Sequence, residues 1–285
     1  MRAELQELWK YRELLLTLIE RELRIRYKNS FIGFFWSLLN PLITMLVMWL
    51  VFKFFLNNRT ESFSAYIFAA YLPYMFFQMT LMDSAQSILS SMPVIKKVYF
   101  PREVLPLATI GANFVHFLLA LFVYFLFLLA VWVKNPGRSP FTETLIFLPV
   151  LIVIQLCLTT GLSLMISALN TFYEDVKYMV GVILYLMFFL SPIMYFSEQV
   201  RYSQALGDRA ELVYVLYHLN PIAMLCTAYR KLMLAPVSPM VGDQRLPYLP
   251  LDWALLGVCA GISVATLFAG YAVFNRLKWR FMERP

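Results

Sequence analysis

The chain has 285 residues, of which 61% are hydrophobic, 17% aromatic and only 14% charged, with a formal net charge of +7. A mean hydropathy of +0.67 lies outside the range of soluble globular domains and excludes an ordinary water-soluble fold. The apolar residues come in runs approaching the roughly 20 needed to cross a bilayer as a helix, not in the alternating stretches of about ten that build barrels, so the fold class is all-α integral membrane.

Residues 1–30 predict a cytoplasmic amphipathic helix on the inner leaflet. Leu5, Leu8, Leu15, Ile19 and Leu23 recur at helical spacing among charges, with Trp9 and Tyr11 as interfacial anchors. The first apolar run is too long, and its charged approach too extended, for a cleaved signal peptide. Residues 31–285 then predict a transmembrane domain of six helices, spanning about 31–56, 64–89, 104–133, 145–169, 176–196 and 253–274. Between the last two, the outer segment 197–252 holds "LVYVLYHL" and "IAMLCTAYRKLML", each too short to cross and separated by Asn220-Pro221. These are expected to be re-entrant half-helices on the outer face.

Lys and Arg set the orientation, because cytoplasmic loops carry the excess. Fifteen lie on the side of the N-terminus, the second loop, Lys177 and the C-terminal Arg276, Lys278, Arg280 and Arg284, against nine on the other side. Both termini are therefore expected in the cytoplasm, and the net charge reflects this asymmetry without a nucleic-acid partner. Counting the half-helices as another span would move the C-terminal cations outside, against the charge rule.

The chain contains no G-x-x-x-x-G-K-[ST] stretch, so no nucleotide site of that kind is expected. Cys157, Cys226 and Cys259 lie apart in apolar runs, with no CxxC pair or nearby histidine, and read as packing residues; no metal site is expected. His116 and His218 sit among apolar residues and read as satisfied membrane or interface histidines. Asp83, followed by Ser84, Gln86, Ser87, Ser90 and Ser91, reads as an interfacial carboxylate near the end of its span more readily than as a proton relay. No catalytic residues are expected.

Tyr71, Tyr74, Phe76 and Phe77 crowd the second span, and Tyr185, Phe188, Phe189 and Tyr195 the fifth. One reading is the aromatic belt of membrane interfaces. The other is a lining for a sugar polymer, whose apolar C–H faces rest on aromatic rings. Arg21, Arg24, Arg26 and Lys28 stand just before the first span, where they serve as positive-inside anchors or hold an anionic lipid pyrophosphate. In the loop "SSMPVIKKVYFPRE", Pro93 and Pro101 delimit one or two helical turns. Val94, Ile95, Val98, Tyr99 and Phe100 supply apolar anchors there, and Lys96, Lys97 and Arg102 flanking charge, which are the residue types of a small protein interface.

"RYKNSFIGFFWSLLNPL" resembles the Y-x-x-S-x-x-G-x-x-W-x-x-x-x-P signature at the first span of type-2 ABC exporter permeases of the polysaccharide group, which moves O-antigen, capsule and teichoic acid glycans. "VIKKVYFPREVLPL", "FYEDV", "SPIMY" and "LNPIAMLCTAYRKLML" follow in the expected order, so the resemblance covers essentially the whole chain. Glu174 departs from the basic residue expected there in many relatives, and no electrostatic role is carried over for that turn. The resemblance implies a homodimer in the inner membrane, joined to two copies of a separate ABC ATPase that binds ATP and Mg and drives a lipid-linked polysaccharide outward. It also implies that the second loop is the coupling helix seated in the ATPase, that this chain holds no cofactor and is not itself an enzyme, and that Gly33 and Pro41 permit close contact and a kink in the first span. The alternatives are a same-fold exporter of a drug, lipid or haem, and a membrane-embedded glycan transferase. The latter needs a positioned acid, base or nucleophile, and neither His116 nor Asp83 has an evident partner in the sequence.

Overall fold

The computed structural model describes residues 6, 8–27, 39, 42–44, 46–48, 50–55, 63–134, 142–241 and 244–283. Half of the expected first span, including Gly33 and Pro41, lies outside them; its last described turn is a π-helical stretch, Val51–Phe55. The other elements are α1 (Arg12–Tyr27), α2 (Phe63–Ser90), α3 (Met92–Ile95), α4 (Val104–Lys134), α5 (Leu148–Phe172, entered through a 3-10 turn Glu143–Phe147) and α6 (Asp175–Leu190). Next come α7 (Ser197–Arg201), α8 (Ala210–His218), α9 (Pro221–Met233) and α10 (Trp253–Leu277), which continues into a 3-10 turn Lys278–Glu283. The described strands are a two-residue antiparallel pair, β1 (Met240–Val241) and β2 (Gln244–Arg245), with Met240 opposite Arg245.

Four described helices are long and apolar enough to cross a membrane: Phe63–Ser90, Val104–Val133, Glu143–Phe172 and Trp253–Phe281. They coincide with the second, third, fourth and sixth expected spans. The fifth is shorter than expected. α6 stops at Leu190 after 16 residues, a rise of about 24 Å, because Pro192 forces the residue before it out of helical geometry and Ser191 is extended at φ −91°, ψ 149°. Residues 191–196 then fold inward, with Ile193 and Phe196 buried. The expected half-helices are present as α8 and α9, which meet at 95°. Pro221 starts α9, and the Asn220 side chain caps it by accepting from the Ile222 N–H at 3.2 Å.

Helix α2 is the axis of the domain. In its most apolar window 72% of residues are buried, against 22–28% in the other three spans, and it packs on α4, α5, α6 and α9. Its interior Pro73 removes the backbone donor that would serve the Ala69 carbonyl one turn back, and polar side chains of α5 bond other carbonyls of the helix. Gln155 of α5 donates to the Pro73 carbonyl at 2.7 Å, and Asn170 to the Ala85 carbonyl at 2.8 Å. Gln155, Thr159, Ser163, Ser167 and Thr171 recur every four residues and are all buried, a polar seam down one face of α5.

At the other face of α5, backbones touch. A Cβ on Gly270 of α10 would meet the Gly161 backbone, and one on Gly161 would lie 2.6 Å from the Leu267 Cα. Small residues at such crossings are what bring membrane helices into close contact. α1 lies across α4, with Ile19 seated on Gly111, where an added Cβ would stand 2.6 Å from the Ile19 Cδ1. α1, the second loop and the C-terminal turn form a separate apolar cluster at one end of the bundle, built on Ile88, Ile95, Phe100, Phe274 and Phe281.

Gly270→Ala should destabilise the purified protein by about 1–3 kcal/mol of overpacking, read as a lower melting temperature, although alanine is the better helix former. Gly257→Ala in the same helix, where nothing lies within 4 Å of the new methyl, should leave it unchanged or raise it.

Candidate functional site

A cleft of about 510 Å³ opens between α1, the end of α2, the start of α4 and the start of α6. α1 contributes Arg21 and Glu22; α2 contributes Asp83, Gln86, Ser87 and Ser90; α4 contributes Thr109 and α6 Lys177. The hydrophobic-to-polar change at the end of α2 places these groups, since Asp83 to Ser91 continue the helix beyond its apolar body. Asn113 of α4 holds Asp83, donating to its Oδ2 at 3.1 Å. Of the four expected pyrophosphate-binding cations, Arg21 lines the cleft and approaches Glu22 at 3.6 Å. Arg24 instead pairs with Glu20 one turn back on the exposed face, its Nε at 3.1 Å. Arg26 stands in the last turn of α1; its side chain, and Lys28 altogether, lie outside the described residues. Lys177 was not among the expected four, although it is the one cation at the start of the fifth span.

The two aromatic groups separate. Tyr74, Phe76 and Phe77 are buried in this chain's own core. The Tyr74 hydroxyl donates to the Leu184 carbonyl of α6, and Phe76 stacks on Phe117 at 4.9 Å. Tyr71 is half-buried beside Phe68. On α6 the arrangement is the reverse. Leu184 is its single buried residue, while Tyr178, Tyr185 and Phe189 project outward, Tyr185 at 63% exposure. Tyr185 and Phe189 meet edge to face at 5.2 Å, and Phe188 joins this row to Tyr74 at 5.5 Å. Tyr195 lies past the helix end, its hydroxyl 2.8 Å from that of Tyr217.

The second loop also divides. α3 forms the short helical piece expected after Ser91, with Pro93 in its first turn. Ile95 and Phe100 turn inward and are buried in the apolar cluster at this end of the bundle. Val94, Val98 and Tyr99 remain outside, Tyr99 at 74% exposure, together with Lys96 and Lys97. An apolar hollow of about 170 Å³ lies between Val94, Val98 and Tyr99 on one side and Tyr11, just before α1, with Leu14 and Leu18 of α1 on the other. Arg102 and Glu103 grip the C-terminal turn. Lys278 Nζ lies 2.6 Å from Glu103 Oε1, Arg102 donates to the Lys278 carbonyl, and the guanidinium stands 5.8 Å from the Phe281 ring. Burial pulls the Arg102 guanidinium below its ordinary value, with the Glu103 charge opposing. Sequence reasoning had Arg102 as a flanking charge and did not pair Glu103 with Lys278, 175 residues away.

At the far end, Arg230 and Lys231 are buried, although their positions read as outer-loop cations. Arg230 Nε donates to the Tyr66 carbonyl at 2.9 Å and Nη1 to the Tyr195 carbonyl at 2.8 Å, while Nη2 reaches the Ile193 carbonyl; the guanidinium lies 4.2 Å over the Tyr66 ring. Lys231 Nζ pairs with Glu198 Oε1 at 3.1 Å. His218 bridges the Tyr214 carbonyl at 2.9 Å and Thr227 Oγ1 at 3.2 Å, so it is satisfied as expected. Cys226 and Cys259 are buried free thiols, and among the described residues no three His, Cys, Asp or Glu side chains gather as a metal site. The one clue to the lock in the sequence was a pair of cations inside the apolar run "TAYRKLML".

These elements describe a helical multi-pass membrane domain with a sharply bent helix pair, an N-terminal helix packed across it and an exposed apolar loop. The chain belongs to the ABC-2 type transporter family, whose profile matches residues 13–234. It is 30% identical over 278 residues to the O-antigen export system permease protein RfbA of Myxococcus xanthus, covering 98% of this chain and 97% of that protein. Two Klebsiella pneumoniae proteins of the same name are 27% and 26% identical over 271 residues, covering 95% of this chain and 94% of each.

Glu198→Gln, which leaves Lys231 charged and buried, should destabilise the protein by about 3–5 kcal/mol, whereas the double change Glu198→Leu with Lys231→Met should recover most of that loss. Thermal melting in detergent measures both.

Proposed function

We propose that this chain is the permease subunit of an ATP-driven exporter that carries a lipid-linked polysaccharide of O-antigen type across the inner membrane. The near full-length likeness to three proteins named O-antigen export permeases carries this reading. In it, two copies pair, each with six spans and both termini in the cytoplasm, and two ABC ATPase subunits supply the hydrolysis. The end bearing α1 and the C-terminal turn faces the cytoplasm, in keeping with its excess of Lys and Arg.

The chain's own residues then divide the work. The cleft stands where an anionic lipid head would arrive, with Arg21 and Lys177 as cations at its margin. The outward row on α6, chiefly Tyr185 and Phe189, offers aromatic faces to sugar rings, and several weak contacts in sequence permit sliding where one strong site would arrest it. Val94, Val98 and Tyr99, with Lys96 and Lys97, form the surface for the ATPase. Ile95 and Phe100 root that surface in the bundle, and Arg102 and Glu103 tie it to α10.

Two substitution sets test the reading in cells that depend on this chain for surface glycan. Tyr185→Ala with Phe189→Ala should lower export at unchanged membrane abundance, each lost ring costing about 0.5–1.5 kcal/mol, roughly two- to tenfold. Full export by the double variant refutes the lining. Val98→Ser with Tyr99→Ser should release the ATPase in mild detergent, or leave hydrolysis running without export. Phe100→Ser should instead reduce the folded protein itself.

A further inference from the structure

We propose that Asn170 is the positioning residue through which a displacement of the loop after α2 reaches α6; this rests on the exporter reading above. Asn170 lies in the last turn of α5 and is buried. Its Nδ2 donates to the Ala85 carbonyl of α2 at 2.8 Å, and its Oδ1 accepts from the Lys177 N–H of α6 at 3.0 Å. One short side chain thus joins the backbones of three helices. The partners fix which way the amide points, since a backbone carbonyl only accepts and a backbone N–H only donates.

A side chain that merely satisfied its surroundings would not need this arrangement. Ala85 lies inside α2, which runs on to Ser90, so its carbonyl already has a helical N–H, and the amide takes the second lone pair. The first N–H groups of α6 do lack helical partners. Glu174, at the N-cap, makes no side-chain capping bond, and the Lys177 N–H is served from α5 instead. A local cap would steady α6 alone. A cap that is itself bonded to α2 ties α6 to the helix that carries the loop.

Both ends of the tie are in working positions. Beyond Ala85, α2 ends at Ser90 and the chain passes into α3 and the exposed Val94, Val98 and Tyr99. Lys177 stands in the first turn of α6 and lines the cleft together with Asp83 and Gln86 of α2, and Tyr185 and Phe189 follow on the same helix. Farther along, the Tyr74 hydroxyl, again from α2, donates to the Leu184 carbonyl. With a single buried residue, α6 has little interlocking packing to fix its register, and directional bonds from α5 and α2 do so.

The test uses the permease with its ATPase in proteoliposomes that contain lipid-linked glycan extracted from the producing cells. ATP is added outside, and glycan carried to the lumen is scored by its protection from an added lectin. The readout is glycan moved per ATP hydrolysed: a variant that only folds poorly loses both in proportion, whereas a broken tie lowers the ratio. Asn170→Leu, of similar volume and without either bond, should lower it about tenfold with the ATPase still bound. Asn170→Asp keeps an acceptor for the Lys177 N–H but, when ionised, has no donor for the Ala85 carbonyl. It should show the same fall, and it supplies the readout if the leucine variant does not assemble. A wild-type ratio for Asn170→Asp overturns the inference, because the side chain then only caps α6. If the wild-type complex moves glycan and both variants keep its ratio, the inference alone fails. If the wild-type complex moves none and cells lacking the chain keep their surface glycan, the exporter reading falls and the inference with it.

Discussion

The domain depends on one guanidinium. Wherever a helix breaks at membrane depth, its freed carbonyls must find donors, because lipid offers none. The chain breaks after α6 at Ser191-Pro192, and Arg230 answers it by donating to the carbonyls of Ile193 and Tyr195 on the broken segment and of Tyr66 on α2. A fully buried arginine is costly alone, but a planar fork with five donors, set over the Tyr66 ring, repays the desolvation through geometry that an ammonium cannot match. Lys231, the next residue, needs a carboxylate instead and has one in Glu198. Together they fasten α9, α2 and the start of the outer segment to each other.

The same rule shapes the rest of the bundle. Gln155 of α5 reaches into the central helix and bonds the Pro73 carbonyl, and α5 carries its polar groups every four residues, all of them buried. The opposite side of α5 could then be surrendered to backbone contact, with Gly161 against Gly270. One helix thus uses hydrogen bonds on one face and closeness on another, the two forces that associate helices where apolar burial gives little net drive.

What the sequence revealed and what it hid follow from range. Spans two, three, four and six were legible because each is a continuous apolar run, and the α8–α9 bend because Asn220-Pro221 is a local stop signal. The amphipathic spacing of Leu15, Ile19 and Leu23 marked α1 in the same way. The end of α6 was missed by treating Pro192 as part of a span, although the residue before a proline is disfavoured in a helix. Which aromatics face outward was not legible at all: α2 is apolar all round, so its periodicity does not distinguish core from surface, and only the packing of α4, α5 and α9 around it buries Tyr74, Phe76 and Phe77. Arg230 and Lys231 were miscounted as loop charges because the Tyr66 carbonyl that holds the one and the Glu198 carboxylate that pairs the other are distant in the chain.

These attachments are unequal, and the inequality gives the fold a direction. α2 runs from the loop at Ser90 to the Arg230 lock at Tyr66 and is held along its length. α10 is tied to the loop by Glu103 and Lys278 and to α5 by its glycine. α6, by contrast, buries only Leu184 among the described residues; it meets the bundle through that leucine, the Tyr74 hydroxyl, Val176, Val180, Met187, Phe188 and the Asn170 side chain at the Lys177 N–H, and leaves Tyr178, Tyr185 and Phe189 exposed. A displacement of the loop therefore meets stiff connections to α2 and α10 and a weakly held neighbour in α6. Motion follows the compliant element, so α6, which bears both the aromatic row and Lys177 at the cleft, is the helix that such a displacement would shift against the others.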